Sequence, residues 1–253
     1  MNQAGQAVYV YGVVPSSAHP PKGLAGVEGN PVRHVARGEI AAIVGDVGRA
    51  PLGRGADIRA HWRVLDDAVE RTTVLPLRFG MVMESDDDVR EDFLAPNEAR
   101  FATELTELDG KVQLIVKGFY REDAILREVV DETPAVGRLR ERTRQLPEAA
   151  AYYEMIRLGE LVAAEVDRRR EHDTERVLTR LGGMAVASHP ERRMTNETAV
   201  NIAFLVERDR VDEFSAEVQR LHADVGDRIR IRYVGPLPPY SFTGEEAGSA
   251  AWA

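Results

Sequence analysis

The chain has 253 residues, and we expect two domains because single hydrophobic cores stop growing near this size. Hydrophobic residues make up 43% and charged residues 30%, which is typical of a globular protein, and no apolar run approaches the roughly 18 residues of a membrane span. The absence of cysteine excludes disulfides, thiolate metal sites and cysteine nucleophiles. A net charge of -9 repels nucleic acid, so such a role would need a local basic patch.

The first hundred residues predict a mixed α and β domain. The β-branched and aromatic run at 7–14 predicts a first strand rather than a secretory signal, so we expect a cytoplasmic protein. Two apolar runs at 32–36 and 40–44 predict a hairpin. Helical spacing of Ile58, Trp62, Leu65 and Val69 then predicts an amphipathic helix, and a short strand and two further helices follow. Gly110 marks the predicted boundary of a domain at 1–109.

The order of elements after Gly110 is more informative. A strand at 111–120 precedes short helices broken by Pro134 and Pro147, and a long helix is predicted over 148–181. Two strands, a helix and a last strand ending in "RIRIRYV" complete the order βαββαβ. This is the ferredoxin-like order, so we predict an α+β protein whose second domain, 110–242, is ferredoxin-like and carries a long helix. Residues 243–253 are expected to be a flexible tail.

The long helix carries an apolar stripe in its first half. The stripe predicts burial against a sheet or a partner protein. Its members are Tyr152, Met155, Ile156, Gly159, Val162, Ala163 and Val166. The charged segment "DRRREHDTER" interrupts the stripe, and we expect it to project into solvent or to kink the helix.

Motifs for catalysis or metal binding are absent from the sequence. None of the six histidines has the spacing of a metal site, and the acids Asp86, Asp87 and Asp88 are explained as the first turn of a helix behind the cap Ser85. There is no phosphate-binding loop and no nucleophile elbow. The sequence therefore predicts a protein that is not an enzyme and has no metal or cofactor.

The last strand carries a row of basic residues. Arg228, Arg230 and Arg232 are expected to share one side of it, because side chains alternate along a strand. One interpretation is a surface for an acidic partner or RNA; the other is a half-exposed strand that Arg side chains solvate. No paired aromatic motif of RNA-binding sheets accompanies the row, which favours the second interpretation.

The segment "GPLPPYSF" follows this strand and has more apolar residues than a free tail needs. Its prolines keep it extended and out of any helix. We expect Leu237, Tyr240 and Phe242 to anchor it on the N-terminal domain and so to hold the two domains together.

Four segments together resemble the gas vesicle GvpF/GvpL family. They are "YVYGVV" at the start, "VLPLRFGMVM" in the middle, "VNIAFLVERDRVDEF" and "YVGPLPPYSF" near the end, and the resemblance runs from Val8 to Phe242. One difference is Leu237, where the family usually has Trp.

The resemblance implies an accessory protein that binds the hydrophobic gas vesicle shell subunit and other vesicle proteins, assists nucleation or assembly, and is associated with the vesicle. It implies neither catalytic residues nor a cofactor. The stripe residues Tyr152 and Ile156 and the arginines 228, 230 and 232 are the candidate partner-binding residues. Two alternatives stay open at this point: an RNA-binding ferredoxin-like module and a ferredoxin-like small-molecule enzyme or sensor.

Overall fold

A computed structural model describes residues 7–21, 23–48, 52–191, 195 and 197–244, with the side chains of 148–150 left aside. The chain forms two compact units. The first contains the described residues up to Gln113 together with those from Gly235 onward, and the second is Leu114–Val234. The predicted flexible tail at 243–253 lies outside the described residues from position 245 onward.

The described residues up to Glu107 form five strands and the first three α-helices. In chain order they are β1 (Ala7–Pro15), β2 (Val32–Arg37), β3 (Ile40–Val47), α1 (Gly55–Arg71), β4 (Leu75–Pro76), β5 (Val82–Met83), α2 (Asp86–Asp88) and α3 (Ala95–Glu107), with a π-helical turn at Val89–Leu94. Ser85 caps α2, accepting a hydrogen bond from the Asp88 backbone N–H over 3.1 Å.

The strands of the first unit form an antiparallel sheet in the order β2-β3-β1-β4, with β5 also pairing with β1. The predicted hairpin is present as β2 and β3, and Gly38 adopts the positive φ of 53° that its tight turn requires. Nearly every residue of β1 is buried, because helices α1 and α3 both contact this strand.

Helix α1 has the predicted amphipathic character, but its buried face differs from the predicted one. Leu65 and Val69 are buried as expected, whereas Ile58 and Trp62 are exposed. The buried face instead includes His61, which hydrogen bonds make tolerable in the interior. The pattern of apolar residues alone could not identify a histidine as a core residue.

From Lys111 onward, the part of the chain that the structure describes forms four strands and four α-helices. They are β6 (Lys111–Tyr120), α4 (Glu122–Glu132), α5 (Pro134–Gln145), α6 (Glu148–Leu181), β7 (Ala187–Pro190), β8 (Thr198–Glu207), α7 (Val211–Val225) and β9 (Ile229–Leu237). The strands form a second antiparallel sheet in the order β7-β8-β6-β9. The mixed α+β class predicted from the sequence is confirmed.

The core of the second unit forms where α6 and α7 cover this sheet. Strand β8 is an almost unbroken apolar run, and Phe204 on this strand packs 5.2 Å from Phe214 of α7, measured between ring centroids. Helix α7 buries Phe214, Val218 and Leu221, whose spacing of four and three residues places them on one face.

Helix α6 runs without interruption over 34 residues, so the charged segment does not end it. The expectation that this segment would project into solvent is wrong at two positions, since Arg169 and Asp173 are buried. Arg169 forms ion pairs with Glu128 and Glu132 of α4, and Asp173 forms one with Arg228. These pairs remove the cost of leaving a charge alone in the interior.

Candidate functional site

The described residues contain no group of three or more His, Asp or Glu side chains placed to hold a metal ion. No helix among them is long and apolar enough to cross a membrane. Exposed apolar residues and unpaired charges on the surface of a protein can meet a partner.

The first turns of α6 expose four large apolar side chains, which we call the α6 surface. The exposed fractions are 63% for Tyr152, 76% for Tyr153, 62% for Met155 and 47% for Ile156. The rings of Tyr152 and Tyr153 lie 5.6 Å apart in an edge-to-face arrangement. The predicted stripe therefore exists but is not buried within this chain at its beginning.

The stripe continues into the core along the same face of the helix. Steps of three and four residues lead from Tyr152 through Ile156, Gly159, Ala163 and Val166 to Asp173, Val177 and Leu181. The later positions are buried, and α6 contacts β8 and α7. The early positions are exposed or only half-buried. One helix face thus begins as a free apolar surface and ends as a core surface.

The basic row of the last strand is divided by the structure. Arg230 and Arg232 are exposed, and their guanidinium groups lie 5.7 and 5.5 Å from the centre of the Phe119 ring. Arg228 precedes β9 and lies over the neighbouring Tyr120 ring instead, 5.3 Å from its centre. Because Phe119 and Tyr120 are consecutive in β6, they face opposite sides of the sheet. The three arginines therefore do not share one side, contrary to the prediction.

Arg228 belongs to an ion network that the sequence analysis missed. Its Nη1 lies 2.7 Å from both carboxylate oxygens of Asp173, and its Nε and Nη2 contact Glu128. The Tyr120 hydroxyl donates to Asp173 over 2.7 Å. Arg169 donates to Glu128 over 2.9 Å and also to Glu165, over 2.8 Å. The network joins α4 and α6 to β6 and the start of β9.

The pKa values in this network shift in the directions that the contacts require. Burial raises the pKa of Tyr120, and its hydrogen bond to Asp173 raises it further. Burial alone would raise the pKa of Glu128, but hydrogen bonds from Arg228 and Arg169 outweigh it and hold that pKa below its usual value. Glu128 is therefore ionised and Tyr120 neutral at neutral pH, and the network occupies Arg228 rather than presenting it to a partner.

Tyr240 of the proline-rich tail contacts α1 within the first unit. Its hydroxyl lies 3.3 Å from Nε2 of His61, and its ring lies 5.0 Å from that of Trp62. The next residue, Ser241, donates its backbone N–H to Oε1 of Gln113 over 2.8 Å. Pro238 and Pro239 are buried, whereas Leu237 and Phe242 are half-buried. Tyr240 is thus the tail residue with the most specific contacts.

His61 connects this tail to the first strand. Nδ1 of His61 lies 2.9 Å from the hydroxyl of Tyr9, which itself accepts a hydrogen bond from the Gly80 N–H over 3.0 Å. We therefore assign the Tyr9 hydroxyl as the donor to Nδ1, which leaves the proton on Nε2 to be donated to Tyr240. Burial lowers the pKa of His61 to about 4, against a smaller opposing effect of the Leu77 backbone. The imidazole is neutral at neutral pH.

The chain thus forms two compact units of mixed α and β structure, and the second exposes several large apolar side chains at the start of α6. The family described as "Gas vesicle synthesis protein GvpL/GvpF" matches residues 7–244. Gas vesicle protein F of a Streptomyces species is 35% identical over 93% of this chain and 99% of its own length. Gas vesicle protein L of the same strain is 30% identical over 93% of this chain and 92% of its own.

Solved structures share the fold. The crystal structure of gas vesicle protein GvpF from Anabaena has a TM-score of 0.81 at 24% identity, covering 94% of this chain and 98% of the other. That of GvpF from Microcystis aeruginosa has a TM-score of 0.76 at 26% identity, covering 93% and 98%. The chain belongs to the gas vesicle GvpL/GvpF family, as the four sequence segments predicted. The family is one of gas vesicle proteins and is not a known enzyme family.

Proposed function

We propose that this protein assists the formation of gas vesicles in the cytoplasm by binding the hydrophobic shell subunit and other vesicle proteins during nucleation or assembly. Membership of the gas vesicle family supports the setting, and the α6 surface supports the mode of action. A subunit that lines a gas space is strongly apolar and aggregates when exposed to water, so an assembly factor must offer it apolar contacts. The net charge of -9 keeps such a factor in solution.

The single observation that carries the proposal is the exposure of Tyr152, Tyr153, Met155 and Ile156 on consecutive turns of one helix. Tyrosine and methionine are enriched in protein interfaces, and tyrosine often contributes a large part of the binding energy. Tyr152 and Ile156 lie on the helix face that packs into the core further along α6. A partner bound there would make the same kind of apolar contact that this face already makes within its own unit. Arg230 and Arg232 are a second, basic candidate for contact.

We also infer the domain organisation from the order of elements. A unit with the order βαββαβ and a sheet in the order β7-β8-β6-β9 supports a ferredoxin-like domain over 110–242, preceded by a domain of its own type over 1–109. The contacts of Tyr240 with α1 support the tail, with Leu237 and Phe242, as an anchor on the first of these.

Binding of the purified protein to the shell subunit tests the proposal. The double variant Tyr152→Ser/Ile156→Ser should weaken binding at least tenfold, since buried anchors in interfaces are each worth about 1 to 2 kcal/mol. The matched control is Leu126→Ser/Val186→Ser, which removes two apolar residues exposed to 40% and 55% elsewhere in the same unit and should bind normally.

The outcomes separate the role from the surface. No binding of the unaltered protein to the shell subunit, together with normal vesicles in a strain that lacks its gene, would overturn the proposed function. Equal binding of the two double variants would leave the function standing and show that the α6 surface does not carry it.

A further inference from the structure

A groove of about 770 Å³ runs between α5 and α6 on another side of these helices. Each helix lines it with residues at positions i, i+3, i+4 and i+7. They are Ala135, Arg138, Leu139 and Arg142 of α5, and Arg157, Glu160, Leu161 and Ala164 of α6. This spacing means that the groove follows both helices for about two turns, or roughly 10 Å.

The groove has an apolar floor and a charged rim. Ala135, Leu139, Leu161 and Ala164 supply the floor, whereas the other four lining residues are charged. Ala135 and Ala164 both lie at the end of the groove away from the connection between the two helices, and their small side chains leave the space that a third helix needs at the usual interaxial distance of 8 to 10 Å. The two helices are joined through the short connection at Leu146 and Pro147, so they form a helical hairpin with an open side.

The rim carries an excess of positive charge. Its charged residues are three arginines and one glutamate, with Arg138 and Arg142 on α5 and Arg157 and Glu160 on α6. Arg142 is paired with Glu154 at 2.9 Å, but neither Arg138 nor Arg157 forms an ion pair with any described side chain. In a chain with a net charge of -9, these two unpaired guanidinium groups beside an apolar floor mark the groove as complementary to an acidic partner.

We propose that this groove binds an amphipathic α-helix of a partner protein whose apolar stripe is bordered by carboxylates. The helical shape follows from the spacing of the lining residues, and the acidic border follows from Arg138 and Arg157. The groove lies away from Tyr152 and Ile156 of the α6 surface, because Leu161 is about 180° and 140° around the helix axis from them at 100° per residue, whereas Tyr153 lies on the groove side of the helix, four residues before Arg157. It does not depend on the proposed function.

Two synthetic helical peptides test the proposal against the full-length protein. Both carry a leucine stripe at i, i+3, i+4 and i+7, bordered by Glu in one peptide and by Lys in the other, and each has a fluorescent label for anisotropy. We expect the Glu-bordered peptide to bind at least tenfold more tightly than the Lys-bordered one, with an affinity that falls as salt is added.

Variants locate the binding. Arg138→Glu/Arg157→Glu should weaken binding of the Glu-bordered peptide at least tenfold. Ala164→Trp should also weaken its binding, because the indole ring would fill the apolar floor of the groove. Arg59→Glu/Arg176→Glu makes the same change in net charge at two exposed arginines that do not line the groove, and it should leave binding unchanged. Tyr152→Ser/Ile156→Ser should also leave it unchanged, which separates this groove from the shell-subunit test.

Three results would overturn the proposal. The first is that neither peptide binds, and the second is that both bind equally. The third is that the protein self-associates in analytical ultracentrifugation and Ala164→Trp abolishes the association, which would make a second copy of the chain the occupant.

Discussion

Arg228 and Asp173 are 55 residues apart in the sequence, yet one guanidinium nitrogen of Arg228 lies 2.7 Å from both oxygens of the Asp173 carboxylate. Asp173 is buried and also accepts the hydroxyl hydrogen of Tyr120. This pair ties the long helix α6 to the start of the last strand, so its loss should be felt across the second unit.

Replacing Asp173 with Asn should destabilise the protein by about 3 kcal/mol, because it leaves the partly buried Arg228 without one of its two carboxylate partners. Urea unfolding at pH 7 measures the change. The control is Asp167→Asn on the same helix, which breaks the surface pair with Arg170 and should cost less than about 1 kcal/mol. Equal effects of the two substitutions would show that the network adds no more stability than an exposed pair.

Removing residues 236–253 should lower the melting temperature by roughly 4 to 8 °C, because it uncovers His61 and removes the buried Tyr240 contact, worth about 2 kcal/mol. Calorimetry of the truncated protein measures the shift. Removing only 245–253 retains every described tail contact and serves as the matched control. An unchanged melting temperature in the longer truncation would indicate that the tail serves a partner instead.

Acid should destabilise the first unit through His61. Its pKa of about 4 in the folded state lies below the unfolded value of about 6.5, so the unfolded chain binds more protons between these two pH values. Stability should therefore fall as pH falls from 6.5 to 4, by on the order of 2 to 3 kcal/mol, and this loss should level off below pH 4.

The variant His61→Gln isolates this effect because glutamine does not titrate and can still form hydrogen bonds. Burial also lowers the pKa of His34, but His34 is present in both proteins. Its contribution therefore cancels from the difference in stability between the unaltered protein and the variant. Parallel stability curves for the two proteins between pH 7 and 4.5 would contradict the assignment of acid sensitivity to His61.

Two glycines should respond to alanine in opposite directions. A Cβ at Gly118 of β6 would lie 2.9 Å from Cγ2 of Ile229, a stiff β-branched side chain, so Gly118→Ala should destabilise by about 1 to 3 kcal/mol. A Cβ at Gly159 of α6 would meet nothing within 4 Å, and Gly159→Ala should stabilise by up to about 1 kcal/mol. Thermal unfolding of both variants measures this, and a shift of the same sign in both would refute it.

The sequence predicted the α+β class and the family because periodicity and short segments are local properties. It also identified the stripe on α6, but periodicity shows which face of a helix is apolar and not where the neighbouring sheet ends. That is why Tyr152 and Ile156 are exposed whereas Val177, on the same face, is buried.

The ion network could not be predicted from one sequence. A run of charges normally indicates a solvated surface, and burial of Arg169 and Asp173 becomes favourable only when Glu128, Tyr120 and Arg228 come together from other elements. The one local signal was the spacing of Arg169, Asp173, Val177 and Leu181, four residues apart each time and therefore on one side of the helix.

Helix α6 has a mechanical consequence. At a rise of 1.5 Å per residue, the 29 steps from Tyr152 to Leu181 span about 44 Å, and the far end of the helix packs against β8 and α7. A molecule held at Tyr152 would therefore sit at the tip of a stiff lever with its base fixed. Inserting or deleting about two turns in the first half of α6 would change the distance between Tyr152 and this fixed end while keeping the same side chains on the same face of the helix.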